Sequence, residues 1–207
     1  MVDKIDIDFN LDDEEEPNFD LEENFNNSKG GGLDDNDDLD EFTIRIFGLD
    51  NSGKSTLMMN LIEPKEGNVA EITEDFNADI LIYKNSKINF WDISGKKDYR
   101  NYWKNYFHSS DAYCFVIDIS NKNRFNEAKE ALNSLILSDS DNEGTPILIY
   151  ANKSDLTEEA IKPETVLSIL GIESNTTNEF KVQVCSAKKL KGLEEGLEWL
   201  YSKLKVV

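Results

Sequence analysis

Six short runs rich in β-branched and aromatic residues punctuate the chain after residue 41, at 42–47, 80–83, 87–91, 112–117, 146–150 and 180–185, and each reads as a strand. Between them, near 54–62, 98–108, 124–138, 158–170 and 193–204, apolar residues recur every three or four positions, as in Leu193, Leu197, Leu200 and Leu204. Strand and helix in alternation imply right-handed crossovers, hence a largely parallel sheet with helices on both faces. One link is different: Lys84-Asn85-Ser86 joins its two runs so tightly that it can only turn an antiparallel hairpin. The pattern predicts an α/β fold on a six-stranded mixed, mostly parallel sheet with about five helices.

Residues 1–41 break this texture. They hold eleven Asp and six Glu against Lys4 and Lys29, which is most of the net charge of −20 carried by the whole chain. With Asn, Asp and Glu runs, a Gly30-Gly31-Gly32 spacer and little apolar mass, burial there cannot offset an ordering cost of ~1–2 kcal/mol per residue. The expected division is a disordered acidic tail over 1–41 and a folded domain over 42–207, with 39% apolar residues enough for a proper core.

So acidic a chain is repelled by nucleic-acid backbones and anionic lipid surfaces. Cys114 and Cys185 lie far apart in apolar runs and assemble neither a disulfide framework nor a cysteine zinc site, which points to a reducing compartment. No run reaches the ~18 apolar residues of a spanning helix, and the acidic start is unlike a signal peptide. A soluble, cytoplasmic protein is expected.

The first strand runs straight into Gly48-Leu-Asp50-Asn51-Ser52-Gly53-Lys54-Ser55-Thr56, a complete G-x-x-x-x-G-K-[ST] ahead of a helical run. Glycines let backbone N–H groups close around phosphate oxygens, the helix start adds partial positive charge, Lys54 reaches the β and γ phosphates, and Ser55 ligates Mg²⁺. Asn152-Lys153-Ser154-Asp155 follows the fifth strand at its C-terminal end, where ligands sit in open α/β sheets. A carboxylate at Asp155 accepts from both the ring N–H and the exocyclic amine of guanine. Adenine offers no such donor pair, so ATP-using P-loop enzymes are disfavoured, and discrimination built on such bonds reaches ~10⁴–10⁵. The alkyl stem of Lys153 can lie along the base. After the third strand, Trp91-Asp92-Ile-Ser-Gly95 supplies Asp92 to hold Mg²⁺ through water and a Gly95 N–H for a γ-phosphate. Cys185-Ser186-Ala187-Lys188 ends the last strand with the Ala187 N–H aimed at the guanine carbonyl. Together these loops make a GTP/GDP site with Mg²⁺.

At this point the chain resembles the small GTPases, and within them the Arf/Arl branch. Trp91-Asp-Ile-Ser-Gly95 with Arg100, Trp103 and Tyr106-Phe107 is similar to that branch's switch II; Asn126-Glu127-Ala128-Lys129 and Gly192-Leu193 to Trp199-Leu200 are similar to its third and last helices. Phe76-Asn77 and Tyr83-Lys84-Asn85 are similar to its interswitch hairpin. The resemblance covers about 42–204 and implies a nucleotide-dependent switch in intracellular trafficking, a hairpin that shifts register, effectors at switch I, switch II and interswitch, and exchange and activating factors. It also places Thr73 at the switch I threonine that engages Mg²⁺ and the γ-phosphate. Asn51-Ser52, Ser94-Gly95 and Tyr99-Arg100-Asn101 look most like the cilium-associated branch that recruits the BBSome coat.

Three features depart from the family. Lys96 stands where the family has its water-orienting glutamine, and an ammonium has donors but no acceptor for the attacking water. Slow unaided hydrolysis is therefore expected at a centre formed by Lys96, Thr73 and Gly95, and either Lys96 or Lys97 could instead place charge near the γ-phosphate or stay solvated. Met1-Val2 lacks the glycine for myristoylation and Leu204-Lys-Val-Val207 lacks a prenylatable cysteine, so membrane or ciliary recruitment would run through protein partners. The tail alternates apolar and acidic residues from Ile5 to Asp12, a pattern that could add a strand to a partner's sheet, dock a basic groove or simply stay solvated.

The remaining residues have structural readings: His108 at a surface, Trp103 and Trp199 as packing aromatics, Arg100 as a family-typical switch II residue, Asp111 and Asp118 as strand-end carboxylates. Nothing in the sequence demands more than a monomer. Two function classes stand open, a GTPase timer and a GTP-held binding scaffold with little turnover.

Overall fold

Each run of β-branched and aromatic residues becomes a strand in the computed structural model, which describes residues 39–71, 73, 76–106, 110–137, 144–172 and 177–205. The expectations for residues 1–38 and for His108 lie outside them. The strands are β1 (Asp40–Phe47), β2 (Phe76–Tyr83), β3 (Ser86–Ile93), β4 (Ala112–Asp118), β5 (Ile147–Asn152) and β6 (Phe180–Val184). They form one six-stranded sheet in the order β2-β3-β1-β4-β5-β6, with every pair parallel except β2 and β3. That antiparallel pair is the expected hairpin: Tyr83 faces Ser86, and Lys84, at φ 53°, and Asn85 turn the chain between them. The central strands β4 and β5 are buried almost end to end, as strands covered on both faces must be.

Four α-helices lie among the described residues: α1 (Lys54–Ile62), α2 (Phe125–Leu137), α3 (Pro163–Leu170) and α4 (Leu193–Leu204). Leu57, Met58 and Leu61 of α1 and Leu193, Leu197, Leu200 and Leu204 of α4 share an apolar cluster with Ile44, Ile46, Phe90, Val116 and Tyr150 of the sheet. Each such side chain contributes ~1.5–3 kcal/mol by leaving water. α2 and α3 pack on each other and bury Ala128, Leu132, Val166 and Leu170.

The fifth helical stretch is wound differently from the others. Lys97–Tyr106 is a 3₁₀ helix, whose three residues per turn put Arg100 and Trp103 on one face. Both side chains reach back to the segment just before it, Trp103 Nε1 donating to the Ser94 carbonyl and Arg100 Nε to the Gly95 carbonyl, each at 2.8 Å. The helix expected from residue 158 starts only at Pro163, because proline fits the first helical position, where its missing N–H costs nothing.

β1 begins two residues before the expected edge of the folded part. Asp40 and Glu41, counted above with the acidic tail, pair with Ser86 and Lys87 of β3. Glu41 Oε1 accepts from Lys87 Nζ at 2.8 Å and from Asn89 Nδ2 at 2.7 Å, so countercharge across the ladder makes an acidic residue acceptable in the strand.

Candidate functional site

Parallel strands end together, and the loops after β1, β3, β5 and β6 therefore converge at one edge of the sheet. All the site residues read from the sequence line a single cleft there except Ser52, Asp92 and Ser186: Asp50, Asn51, Gly53, Lys54, Ser55, Thr56, Thr73, Gly95, Lys96, Asn152, Lys153, Asp155, Ala187 and Lys188. The other three stand behind the wall, buried, and orient what lines it. Val69, Ala70, Glu71 and Leu156 also face the cleft, and no motif in the sequence marks them.

The loop between β1 and α1 crosses the cleft with Asn51 at φ 59° and Gly53 at φ 95°, left-handed conformations that turn successive N–H groups inward. Gly53 is required by space as well, since a Cβ there would lie 2.4 Å from Asn152 Nδ2. No side chain caps the start of α1, which leaves its first N–H groups open to an anion. Lys54 is buried and donates to the Leu49 carbonyl at 3.1 Å; burial lowers its pKa, against the pull of Asp92 and Asp50.

Asn152 ties two walls together. Its Nδ2 donates to the Ser52 carbonyl at 3.0 Å, and its Oδ1 accepts the Ala187 N–H at 2.9 Å. The Ala187 N–H, which the sequence reading aims at a guanine carbonyl, is thus given to the Asn152 side chain in this structure. Ser186 Oγ donates to Asp155 Oδ1 and fixes that carboxylate at the cleft. Lys153, at φ 65°, sends its ammonium to the Asn51 carbonyl at 2.6 Å and to Asp118 Oδ2 at 2.9 Å, laying its stem across the loop. Asp118 is therefore more than a strand-end carboxylate, because it anchors the lysine of that motif and also accepts from Ser120 N at 3.0 Å.

At the far end, three oxygen-bearing side chains gather. Thr73 Oγ1 lies 2.7 Å from Ser55 Oγ and donates to Asp92 Oδ2 at 2.9 Å, and Ser55 Oγ donates to the same oxygen. Asp92 Oδ1 is buried with no hydrogen-bond partner among the described residues. Burial pushes the Asp92 carboxyl above its ordinary range, with Lys54 opposing. Two hydroxyls and a carboxylate with an oxygen to spare suit a small, hard cation that keeps waters and takes further oxygens from a phosphate. Among the described residues no group of three or more His, Cys, Asp or Glu is placed to hold a metal, so such a cation would depend on these hydroxyls and on the phosphate.

Gly95 presses on the phosphate loop itself. A Cβ there would sit 2.3 Å from the Gly48 carbonyl oxygen and 2.5 Å from Asp50 N, while the real Gly95 carbonyl accepts the Asp50 N–H at 3.0 Å. Lys96 follows, with its ammonium over the Tyr99 ring at 6.0 Å from the centroid.

A mostly parallel sheet with a glycine-and-lysine loop after its first strand, and Asn152-Lys153-Ser154-Asp155 at the same cleft, define a P-loop nucleotide-binding domain of the small-GTPase fold. The family model of the ADP-ribosylation factor family matches residues 36–204. The chain is 36% identical over 165 residues to ADP-ribosylation factor-like protein 3 of Chlamydomonas reinhardtii, covering 80% of this chain and 92% of that protein. It is 37% identical over 161 residues to ADP-ribosylation factor-like protein 2 of Arabidopsis thaliana, covering 77% and 85%. Among solved structures, the Arl6 BBS3 small GTPase from Trypanosoma brucei with bound nucleotide analogue GppNp superposes with a TM-score of 0.70 at 26% identity, covering 79% of this chain and 97% of that one. The chain belongs to the ADP-ribosylation factor family.

Proposed function

We propose that this protein is a guanine-nucleotide switch that cycles slowly by itself, binding GTP and GDP with Mg²⁺ and presenting switch I, switch II and the interswitch hairpin to protein effectors in intracellular trafficking. The observation that carries this reading is the convergence of Lys54, Ser55, Thr73, Gly95 and Asp155 on one cleft, with Asn152 tying its walls together and Ser186 bracing Asp155 from behind. In it, Asp155 accepts from the two guanine donors, the phosphate loop and Lys54 hold the phosphates, and Ser55, Thr73 and Asp92 hold Mg²⁺, which when bound neutralises charge developing on the phosphates.

Turnover is where this chain parts from its family. Lys96 has donors only and cannot accept a proton-side hydrogen bond from the attacking water, and its ammonium lies over Tyr99. Intrinsic hydrolysis is then slow, and an activating partner that supplies an arginine and positions the water would restore ~10³–10⁵ in rate. The same feature supports the second reading, a GTP-held scaffold with little turnover. The protein would act in the cytoplasm and reach membranes or a cilium through partners, as a monomer, with the acidic segment that precedes β1 as a further partner-binding element. Of the relatives named above, those alike in sequence are the factor-like proteins 2 and 3 and the one alike in structure is Arl6 BBS3.

The test is single-turnover hydrolysis of bound GTP with Mg²⁺, comparing the full chain with Lys96→Gln at matched occupancy. Slow hydrolysis that quickens in Lys96→Gln supports the switch with a lysine brake. Rapid hydrolysis by the unaltered chain overturns the brake and the scaffold alike, and tight binding of adenine rather than guanine nucleotides overturns the whole assignment.

A further inference from the structure

The phosphate loop of this chain carries an acid where it faces a ligand that is itself strongly anionic. Asp50 lines the cleft beside Lys54 and Gly95, and its side chain is 44% exposed. Left alone, a carboxylate there would oppose every phosphate the cleft takes up, and the last phosphate most. The structure surrounds it. Arg124 Nη2 reaches Asp50 Oδ1 at 2.7 Å and Arg100 Nη2 reaches the same oxygen at 3.0 Å. Both guanidiniums then meet a second acid, Glu127: Arg100 Nη1 to Oε1 at 2.8 Å, Arg124 Nε to Oε2 at 2.7 Å and Arg124 Nη2 to Oε1 at 2.8 Å. Arg124 Nη1 also donates to the Asp50 carbonyl at 2.9 Å.

Two cations and two anions thus close a neutral quartet that joins three parts of the molecule. Asp50 belongs to the phosphate loop, Arg100 to the 3₁₀ segment after Gly95, and Arg124 and Glu127 to the 3₁₀ turn Lys122–Arg124 and the first turn of α2 that follows it. The fork geometry matters, because Arg100 spends each of its nitrogens on a different partner: Nε on the Gly95 carbonyl, Nη1 on Glu127 and Nη2 on Asp50. Gly95 is therefore held against the loop by the same side chain that neutralises the loop's acid.

We propose that Arg100 is a positioning residue that completes, with Arg124 and Glu127, the neutralisation of Asp50 and docks Gly95 on the phosphate loop, so that this charge lock contributes to how the chain discriminates GTP from GDP. The inference rests on the guanine-nucleotide reading above. It makes the lock cooperative: undocking the 95–104 segment leaves Asp50 with Arg124 alone, and the under-compensated carboxylate then works against the γ-phosphate. GDP, lacking that phosphate, feels the loss less.

The experiment measures release of a fluorescent GDP and of a fluorescent non-hydrolysable GTP analogue from the full chain with Mg²⁺, for Arg100→Ala, Asp50→Asn and the double variant. Arg100→Ala is expected to speed release of the GTP analogue about fivefold or more and that of GDP distinctly less, and adding Asp50→Asn is expected to recover most of the difference. Equal acceleration of both nucleotides, or a loss that persists undiminished in the double variant, overturns the lock. Nucleotide-free protein provides a second reading. Amide exchange across 95–104 should quicken in Arg100→Ala and also in Arg100→Lys, which keeps the charge but has no fork, and unchanged exchange overturns the docking. Failure of the unaltered chain to bind guanine nucleotides would sink the functional reading instead, while the exchange result still decides whether Arg100 docks the segment.

Discussion

The side chain of Asn152 and the backbone carbonyl of Ser52, a hundred residues apart in the chain, meet at 3.0 Å in the interior. The bond fastens the phosphate loop to the end of β5, and the other end of the same amide holds the Ala187 N–H at 2.9 Å. Asn152→Ala would strand a buried carbonyl and a buried N–H together, a cost of ~1–3 kcal/mol for such groups. The expected outcome is a melting temperature lowered by ~2–10 °C for a domain of this size, with nucleotide affinity lowered as well. Thermal unfolding with and without GDP checks it, and an unchanged melting point would show that the amide is dispensable.

Asp155 is held at the cleft by Ser186 Oγ. Asp155→Asn replaces a double acceptor by a group that donates from one side, which suits xanthine better than guanine. Competition binding should show preference passing from guanosine to xanthosine nucleotides, and undiminished guanine binding would remove Asp155 from base recognition.

Gly95 has no room for a methyl group, because the neighbours at 2.3, 2.4 and 2.5 Å from its would-be Cβ are all backbone atoms of Gly48, Leu49 and Asp50. Gly95→Ala must push the following segment off the phosphate loop, at a cost of ~1–3 kcal/mol for overpacking. Affinity for a GTP analogue should fall roughly 5- to 150-fold, the binding equivalent of that cost, with a smaller change for GDP. Titration calorimetry with both nucleotides separates this from general unfolding, in which the two would fall together.

Glu127 titrates far below its ordinary 4.5, at about 2, chiefly because Arg124 hydrogen-bonds its carboxylate and Arg100 adds a second bond. Asp50 is lowered too, again mainly by Arg124. For a carboxyl whose folded pKa is depressed, the stabilisation is full above the unfolded value and drains away as pH falls toward the folded one. Stability should therefore decline from about pH 5 downward, and Arg124→Ala should flatten that decline. Because Glu127 and Asp50 are partly exposed, solvent screens the effect, and the informative quantity is the slope of urea midpoint against pH.

The strands were readable because each is a compact β-branched run, and the phosphate loop and Asn152-Lys153-Ser154-Asp155 because their chemistry is local in sequence. The quartet was not. Its members Asp50, Arg100, Arg124 and Glu127 come from three separate stretches of the chain, and only Arg124 and Glu127, three residues apart, are near neighbours in sequence. An acid inside a phosphate loop was the one available signal that countercharge must arrive from elsewhere. The winding of Lys97–Tyr106 was hidden for a related reason: apolar spacing resembled an α-helix, but the tertiary anchors of Arg100 and Trp103 on Ser94 and Gly95 selected the 3₁₀ form. Asp118 looked idle because its partner Lys153 arrives from the next strand's loop.

Trp103 is 3% exposed, bonded to the Ser94 carbonyl and packed against Phe47 with ring centroids 5.4 Å apart and planes tilted by 60°. An indole in that setting emits at short wavelength, and it would redden and dim on meeting water. The molecule therefore carries its own lamp on the segment docked against the phosphate loop: where exchange of one nucleotide for another shifts that segment, the emission of the unlabelled chain should report it, and Trp103→Phe should remove that contribution while Trp91 and Trp199 still emit.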